Sequence, residues 1–512
     1  MRTAEKLDRV APLAPGPRYP LQAADQHTVA LLCRPGPEYV VGTLATWLSG
    51  GIAVPLCLSH PLSELEYVVH DAGVSALLTD KENSDKANQV VQKYNKQIEV
   101  QEVSCEPSVI GSEASTLPTS MHERYSASID WALQSQSPGA LIVYTSGTTG
   151  RPKGALHTFR SLDAQIQNLT SCWEWSDSDT ILHTLPLHHI HGIVNALYCP
   201  LATGAMVNFL PKFSPSEVWN LIQQDCVLSD QVKGIIEKRR PITVFMGVPT
   251  MYSFLLNVYD DAPAKDQASM SAAASNLRLA VSGSAACPLP IMRRWKQLAG
   301  TFPLERYGMT ETGMLLGNPL HGERRPGTVG FPFPGIEARI DPGTGELGVK
   351  GPQLFAGYWG RPDASKQSFD DEGYFLTGDT AQVEPETGYY KLLGRTSVDI
   401  IKSGGYKISA LDIESVLLDH PDIKECAVLG IPDPEYGERI AAVITCKRAD
   451  DCQSLTLAEL KQWTSSRLAP YQTPSRLEIL PSIPRNAMGK INKKDLRKRV
   501  FPEYFGSVAG AA

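Results

Sequence analysis

Alternating strand and helix signals make this chain an α/β protein, with a large first unit followed by a compact α+β unit. Two observations carry that reading. Residues 28–79 twice run from an apolar, β-branched stretch into a helical one and back, which implies a parallel sheet covered on both faces. A chain of 512 residues is also too long for one core, so two or more domains are expected.

Taken in order, residues 28–32 read as a buried strand, 38–48 as a helix and 51–56 as a second strand; 62–71 are helical and 76–78 extended. Residues 81–137 are polar and are expected to wrap the surface irregularly. Residues 140–143 form a short apolar strand that ends where a loop of glycine and hydroxyl residues begins. Residues 180–182 read as a strand, 242–250 as another strand entering a helix, and 260–276, rich in Ala, Ser and Asp, as an exposed insertion. Residues 277–286 are a strand ending in small residues that let backbone amides line a pocket. Beyond residue 400, a glycine loop, a helix at 410–418, strands at 425–429 and 440–445 and a helix at 457–468 make up the small unit.

Composition narrows the function classes. A formal net charge of −7 argues against a nucleic-acid binder, because neutralising phosphates needs surplus Lys and Arg. The ten cysteines are scattered with no CxxC pair, which favours reduced thiols inside a cell over a disulfide framework or zinc site. No apolar run reaches membrane-spanning length. A mitochondrial leader is only weakly supported: Arg2, Lys6, Arg9 and Arg18 are offset by Glu5, Asp8 and prolines. The cytoplasm and the mitochondrion both stay open.

The loop Thr145-Ser146-Gly147-Thr148-Thr149-Gly150, closed by Lys153, is built to meet phosphate. Its glycines let the backbone approach closely, while hydroxyls and one ammonium serve anionic oxygens. It is not a Walker loop, since Gly154 stands where that motif needs Ser or Thr. Here the chain resembles the adenylate-forming superfamily of acyl-CoA synthetases. Further motifs carry the resemblance from residue 140 to 492: 185–192 with His189 and His191, Leu304 to Thr312, Asp371 to Asp379, Gly394 to Asp399, and Pro484 to Asn492 with Lys490. Among these enzymes the chain is most similar to malonyl-CoA synthetases.

The resemblance implies a large domain of mixed, mainly parallel sheets sandwiched by helices at 1–394, a hinge at 395–399 centred on Ser397, and a small mobile α+β lid at 400–512. The start reads as abbreviated, because residues 1–27 stand where the family carries a further strand and helix. Tyr307 offers a ring face for adenine, Thr310 a hydroxyl for phosphate, and Glu311 a hard oxygen for Mg²⁺. Asp379 and Arg395 are implied to hold the ribose, although a turn-capping role would also suit Asp379. Ser403, Gly404 and Gly405 are implied to meet the pantetheine of coenzyme A. Lys490 is implied to bridge the carboxylate and the α-phosphate of ATP, whereas Lys493, Lys494 and Lys498 read as a solvated tail.

The implied reaction ligates a small acid to coenzyme A with ATP, through an acyl-adenylate. His189, His191, Ser282 and Met309 are expected around the acid. Arg278 reads either as a solvated strand-edge cation or, with His191, as a clamp on a distal carboxylate, since a guanidinium takes a carboxylate bidentately. Malonate is the expected substrate, with methylmalonate tolerated. A short or medium-chain or aryl acid, and a nucleotide-binding protein that has lost catalysis, are the rival readings. A free-standing carrier protein stays open as acceptor.

Overall fold

The computed structural model describes residues 26–94, 97–105, 138–145, 151–227, 240–447, 455–485 and 491–505. Two seven-stranded sheets dominate. The first runs, edge to edge, Gly357–Tyr358, Lys153–Thr158, Gly139–Thr145, Ile52–Pro55, Thr28–Leu32, Val74–Thr79 and Glu99–Glu102. Its last five strands are parallel neighbours, and the other edge is antiparallel. The second runs Phe331–Pro332, Gly313–Gly317, Leu304–Met309, Leu279–Ser282, Val244–Gly247, Thr180–His183 and Met206–Phe209. There the five strands from Leu304–Met309 onward are parallel.

Central strands such as Thr28–Leu32, Ile52–Pro55 and Val244–Gly247 are buried along their whole length because both faces are covered. Successive side chains point to opposite faces, so Val29 and Leu31 enter one core while Ala30 and Leu32 enter another. The first of these cores lies between the two sheets. It joins Leu141 and Val143 to Val244 and Val281 through Leu162 and Leu169 of the helix Phe159–Cys172. Truncating Leu31 to Ala there would cost roughly 2–5 kcal/mol. The segment His191–Tyr198 is a π-helix, every residue of which is buried. Such helices are rare and gather at functional sites.

A four-stranded antiparallel sheet, Glu337–Ile340, Glu346–Lys350, Phe375–Val383 and Tyr390–Arg395, leads to the last one. That final sheet orders Tyr406–Ser409, Ile400–Ser403, Gly437–Cys446 and Ile423–Asp433, with Arg476–Ile479 parallel to Gly437–Cys446. The helix Ala410–Leu417 begins at Ser409, whose side chain accepts from the Asp412 amide.

Four expectations are corrected. Residues 81–105 are not irregular: helix Ser84–Val91 buries Ala87, Val90 and Val91, and Glu99–Glu102 adds an edge strand. The insertion at 260–276 is largely a helix, Ala264–Ser275, that buries Met270, Ala273 and Ala274. Its small residues pack closely rather than mark a loop. Cys33, Cys57, Cys105, Cys172, Cys199, Cys287 and Cys426 are free thiols, but Cys446 is disulfide-bonded. Lys493 is not solvated, because its ammonium is held between two carboxylates.

Candidate active site

The site forms where the parallel strands of the second sheet end, the position at which open α/β sheets bind ligands. The strand Leu279–Ser282 runs into Gly283 and Ser284, and Leu304–Met309 lies beside it. His191 is buried, and its Nδ1 lies 3.3 Å from Ser284 Oγ. Its Nε2 is buried without a hydrogen-bond partner. Burial first, and then the charge of Arg306, push the His191 imidazole well below its ordinary range, so it is neutral. Ser282 is fully buried with an unpaired hydroxyl, Met309 is half-buried, and the His189 ring centre lies 4.2 Å from that of His188, the two planes tilted by 48°.

Arg278 is not part of this group. It precedes the strand at the opposite end, where Nε and Nη2 each meet Asp179 at 2.6 Å and Nη1 donates to the Trp173 carbonyl at 2.8 Å. Its forked donors are spent on a structural carboxylate, so the clamp reading of Arg278 is corrected. Arg306 stands in the right location. It is 3% exposed, Nε and Nη2 have no partner, and its charge reaches His191. Burial alone pushes its guanidinium down to about 9, which still leaves it charged at neutral pH. An uncompensated buried cation costs several kcal/mol, so this one is poised for an anion.

A second cluster forms around Glu311. Glu311 Oε1 accepts from the Tyr358 hydroxyl at 2.8 Å, and Lys153 Nζ lies 4.9 Å from the centre of the Tyr358 ring. The lysine of the phosphate loop and the acidic residue of the later motif thus share one tyrosine. Among the described residues Glu311 Oε2 takes no hydrogen bond and no group of three or more metal-ligating side chains occurs. A lone carboxylate beside phosphate groups suits Mg²⁺, which keeps several waters and few protein ligands.

Thr145 and Lys153 face each other across an antiparallel hairpin, while Ser146, Gly147, Thr148, Thr149 and Gly150 lie outside the described residues. The hairpin's stem is tied to the helix Leu62–Asp71. Tyr144 donates to Asp71 at 2.7 Å, Tyr67 donates to the Pro152 carbonyl at 2.7 Å, and Arg361 pairs with Asp71. The Thr310 carbonyl accepts from His157 Nε2 at 2.7 Å. His157 is fully buried and held down to about 4, so its neutral ring fixes the turn that carries Thr310 and Glu311.

The residues expected at the nucleotide, Tyr307, Asp379 and Arg395, converge as well. Tyr307 donates to Asp379 Oδ2 at 2.5 Å, and Asp379 Oδ1 lies 3.0 Å from Arg395 Nε. Burial pushes the Asp379 carboxyl up, with Arg395 opposing it. Ser397 follows in a turn where Val398 and Asp399 amides both reach the Arg395 carbonyl. Ser403, Gly404 and Gly405 form the exposed end of a hairpin, with φ of 56° and 84° at the two glycines, a conformation that excludes most side chains. Lys490 lies outside the described residues.

Three features were not assigned from the sequence. Arg306 sits inside a quoted motif, and the available signal was a charged pair, Glu305 and Arg306, within a strand of the second sheet. His157 carried no signal beyond its type. Cys57 follows the strand Ile52–Pro55. Burial would raise its thiol, but hydrogen bonds to His188 and His60 bring it down to about 5.

Residues 7–359 match the model of the AMP-binding enzymes and residues 412–490 that of the AMP-binding enzyme C-terminal domain. The chain is 44% identical to malonate–CoA ligase of Arabidopsis thaliana over 92% of its own length and 77% of that protein. It resembles the ATP-bound MatB from Rhodopseudomonas palustris with a TM-score of 0.77 at 30% identity, covering 98% of this chain and 92% of that one. A malonyl-CoA ligase ternary product complex with methylmalonyl-CoA and AMP gives a TM-score of 0.59 at 34% identity, covering 89% and 90%. With the family model matched over residues 7–359 and 44% identity to a relative over most of both chains, the chain belongs to the AMP-binding enzyme family.

Proposed function

We propose that this protein ligates malonate to coenzyme A with ATP and Mg²⁺, through a malonyl-adenylate, and that methylmalonate is tolerated. The observation that carries the substrate is the buried, unpaired guanidinium of Arg306 beside neutral His191 and Ser284. A dicarboxylate offers one carboxylate to that cation and leaves the other free to react. A monocarboxylic acid leaves the cation uncompensated, at a cost on the order of 3–5 kcal/mol, or roughly two to four decades in binding.

The near carboxylate attacks the α-phosphorus of ATP, and pyrophosphate departs with the electron pair of the broken P–O bond. The adenylate then carries a good leaving group: the thiolate of coenzyme A attacks the acyl carbon, and AMP leaves. No protein nucleophile is required; the work is orientation and charge stabilisation. Lys153 and the phosphate hairpin serve the β and γ phosphates, and Lys490 the carboxylate and α-phosphate. Mg²⁺, held at Glu311, would neutralise phosphoryl charge. Asp379 and Arg395 hold the ribose, Tyr307 stacks on adenine, and the Gly404-Gly405 hairpin receives pantetheine after rotation about Ser397.

The domain division at the 395–399 hinge belongs to this reading, as does an intracellular setting, cytoplasmic or mitochondrial. Among the described residues no helix is long and apolar enough to cross a membrane.

Pyrophosphate release with ATP, Mg²⁺ and coenzyme A across malonate, methylmalonate, acetate, octanoate and coumarate tests the reading, with Lys490→Ala as control. Malonate-dependent release that the variant lacks is expected. Equal turnover of acetate or octanoate would refute the dicarboxylate site, and release that survives in Lys490→Ala would refute the adenylation role.

A further inference from the structure

The hinge is tied to the last helix by a buried ionic triad. Lys493 opens the helix Lys493–Val500, and its Nζ lies 2.6 Å from Asp399 Oδ1 and 2.6 Å from Glu414 Oε1. The three side chains are only 11%, 13% and 15% exposed. Burial alone would push the ammonium down, but the charges of Glu414 and Asp399 outweigh it and keep Lys493 protonated. Glu414 accepts from the Val428 amide at 2.7 Å, so that arm lies wholly within the small unit.

Asp399 faces the other way as well. Its Oδ2 accepts from the Arg395 amide at 2.9 Å, across Ser397. That bond spans the rotation point, and with the Val398 and Asp399 amides on the Arg395 carbonyl it defines one particular hinge turn. Rotation about Ser397 breaks it, whereas the bonds from Lys493 to Asp399 and Glu414 travel with the small unit. Arg395 in turn holds Asp379. A small cleft lined by Ser397, Val398, Leu429, Gly430, Lys493 and Lys494 shows the hinge turn seated against the start of the last helix.

We propose that Lys493 is a positioning residue for the acid-activating step. By fixing the rotamer of Asp399, it holds the hinge turn in the present arrangement; the whole chain superposes on the ATP-bound form of MatB with a TM-score of 0.77 and on its apo form with 0.68. Loss of its charge releases Asp399, loosens the turn and lowers the fraction of molecules arranged for adenylate formation. The thioester step, which uses the rotated arrangement, does not need the Arg395–Asp399 bond. The inference rests on the ligase reading above.

The two half-reactions are measured separately. ATP–pyrophosphate exchange with malonate reports activation, and single-turnover release of free thiol from malonyl-CoA and AMP reports the thioester step. If the wild-type protein activates another acid of the panel, that acid and its thioester replace malonate, so failure of the substrate reading stays distinct. Lys493→Met is expected to lower exchange about 10-fold or more while thiol release stays within about threefold, and Lys493→Arg to restore exchange. Glu414→Gln, which leaves Asp399 paired, is expected to lower thermal stability without changing the ratio of the two rates. Should Lys493→Met not fold, Asp399→Asn carries the same test. Equal losses in both half-reactions, or no rescue by Lys493→Arg, would overturn the proposal.

Discussion

A methyl group on Gly283 would stand 2.5 Å from Nε and 2.7 Å from Nη1 of Arg306, so the guanidinium lies against bare backbone at the mouth of the strand Leu279–Ser282. Only glycine allows that approach. Gly283→Ala should therefore displace Arg306 and raise the KM for malonate roughly 10-fold or more, with far-UV circular dichroism unchanged. An unaltered KM would mean that the guanidinium is free to move aside and is not held for a ligand.

Arg278 has a structural task instead. Breaking its pair strands the nearly inaccessible Asp179, yet Arg278 is 31% exposed, so the loss should be below that of a fully buried pair, about 2–3 kcal/mol in urea unfolding of Arg278→Leu. Burial raises the Asp179 carboxyl, but the hydrogen bonds led by Arg278 outweigh it and leave it below its ordinary value. Its contribution is thus present above the unfolded carboxylate range and is lost as pH falls through the folded value. Comparing wild type and variant at pH 7 and pH 3 checks both the size and the sign.

Acid should weaken the fold well before carboxylates titrate. Burial holds His157 and His183 down to about 4 each, so the unfolded chain takes up protons that the folded chain refuses. Stability is complete above about 6.5 and falls as pH drops toward 4, by about 2 kcal/mol per histidine at pH 5. Urea midpoints between pH 7.5 and pH 4.5 measure the slope. His191 is held down as well, so His157→Gln, which can keep a donor toward the Thr310 carbonyl, should remove about a third of it; an unchanged slope would show that this ring is protonated when folded.

The parts legible in the sequence were those set by local pattern. Thr28–Leu32 and Leu62–Asp71 were read within their bounds because strand apolarity and helical spacing are properties of neighbours. Tyr307, Asp379 and Arg395 could be singled out together because each sits in a short motif, and the structure brings the three into contact. What stayed hidden depends on distance and direction. Arg278 and Arg306 both flank or occupy a strand of the second sheet, and nothing local says that one stands at the entry end beside Asp179 and the other near the ligand end beside Gly283. Lys493 looked like its neighbours Lys494 and Lys498 because its two carboxylate partners lie 94 and 79 residues away. Helix Ala264–Ser275 was hidden by small residues whose burial comes from partners far along the chain.

The measurement closest to the central claim compares kcat/KM for malonate and acetate in wild type, Arg306→Leu and Arg278→Leu. Arg306→Leu should cost malonate roughly 100-fold or more while leaving acetate equal or improved, and Arg278→Leu should leave the malonate-to-acetate ratio unchanged. If that ratio collapses in Arg278→Leu and survives in Arg306→Leu, the distal carboxylate is held elsewhere and the account of the acid site is wrong.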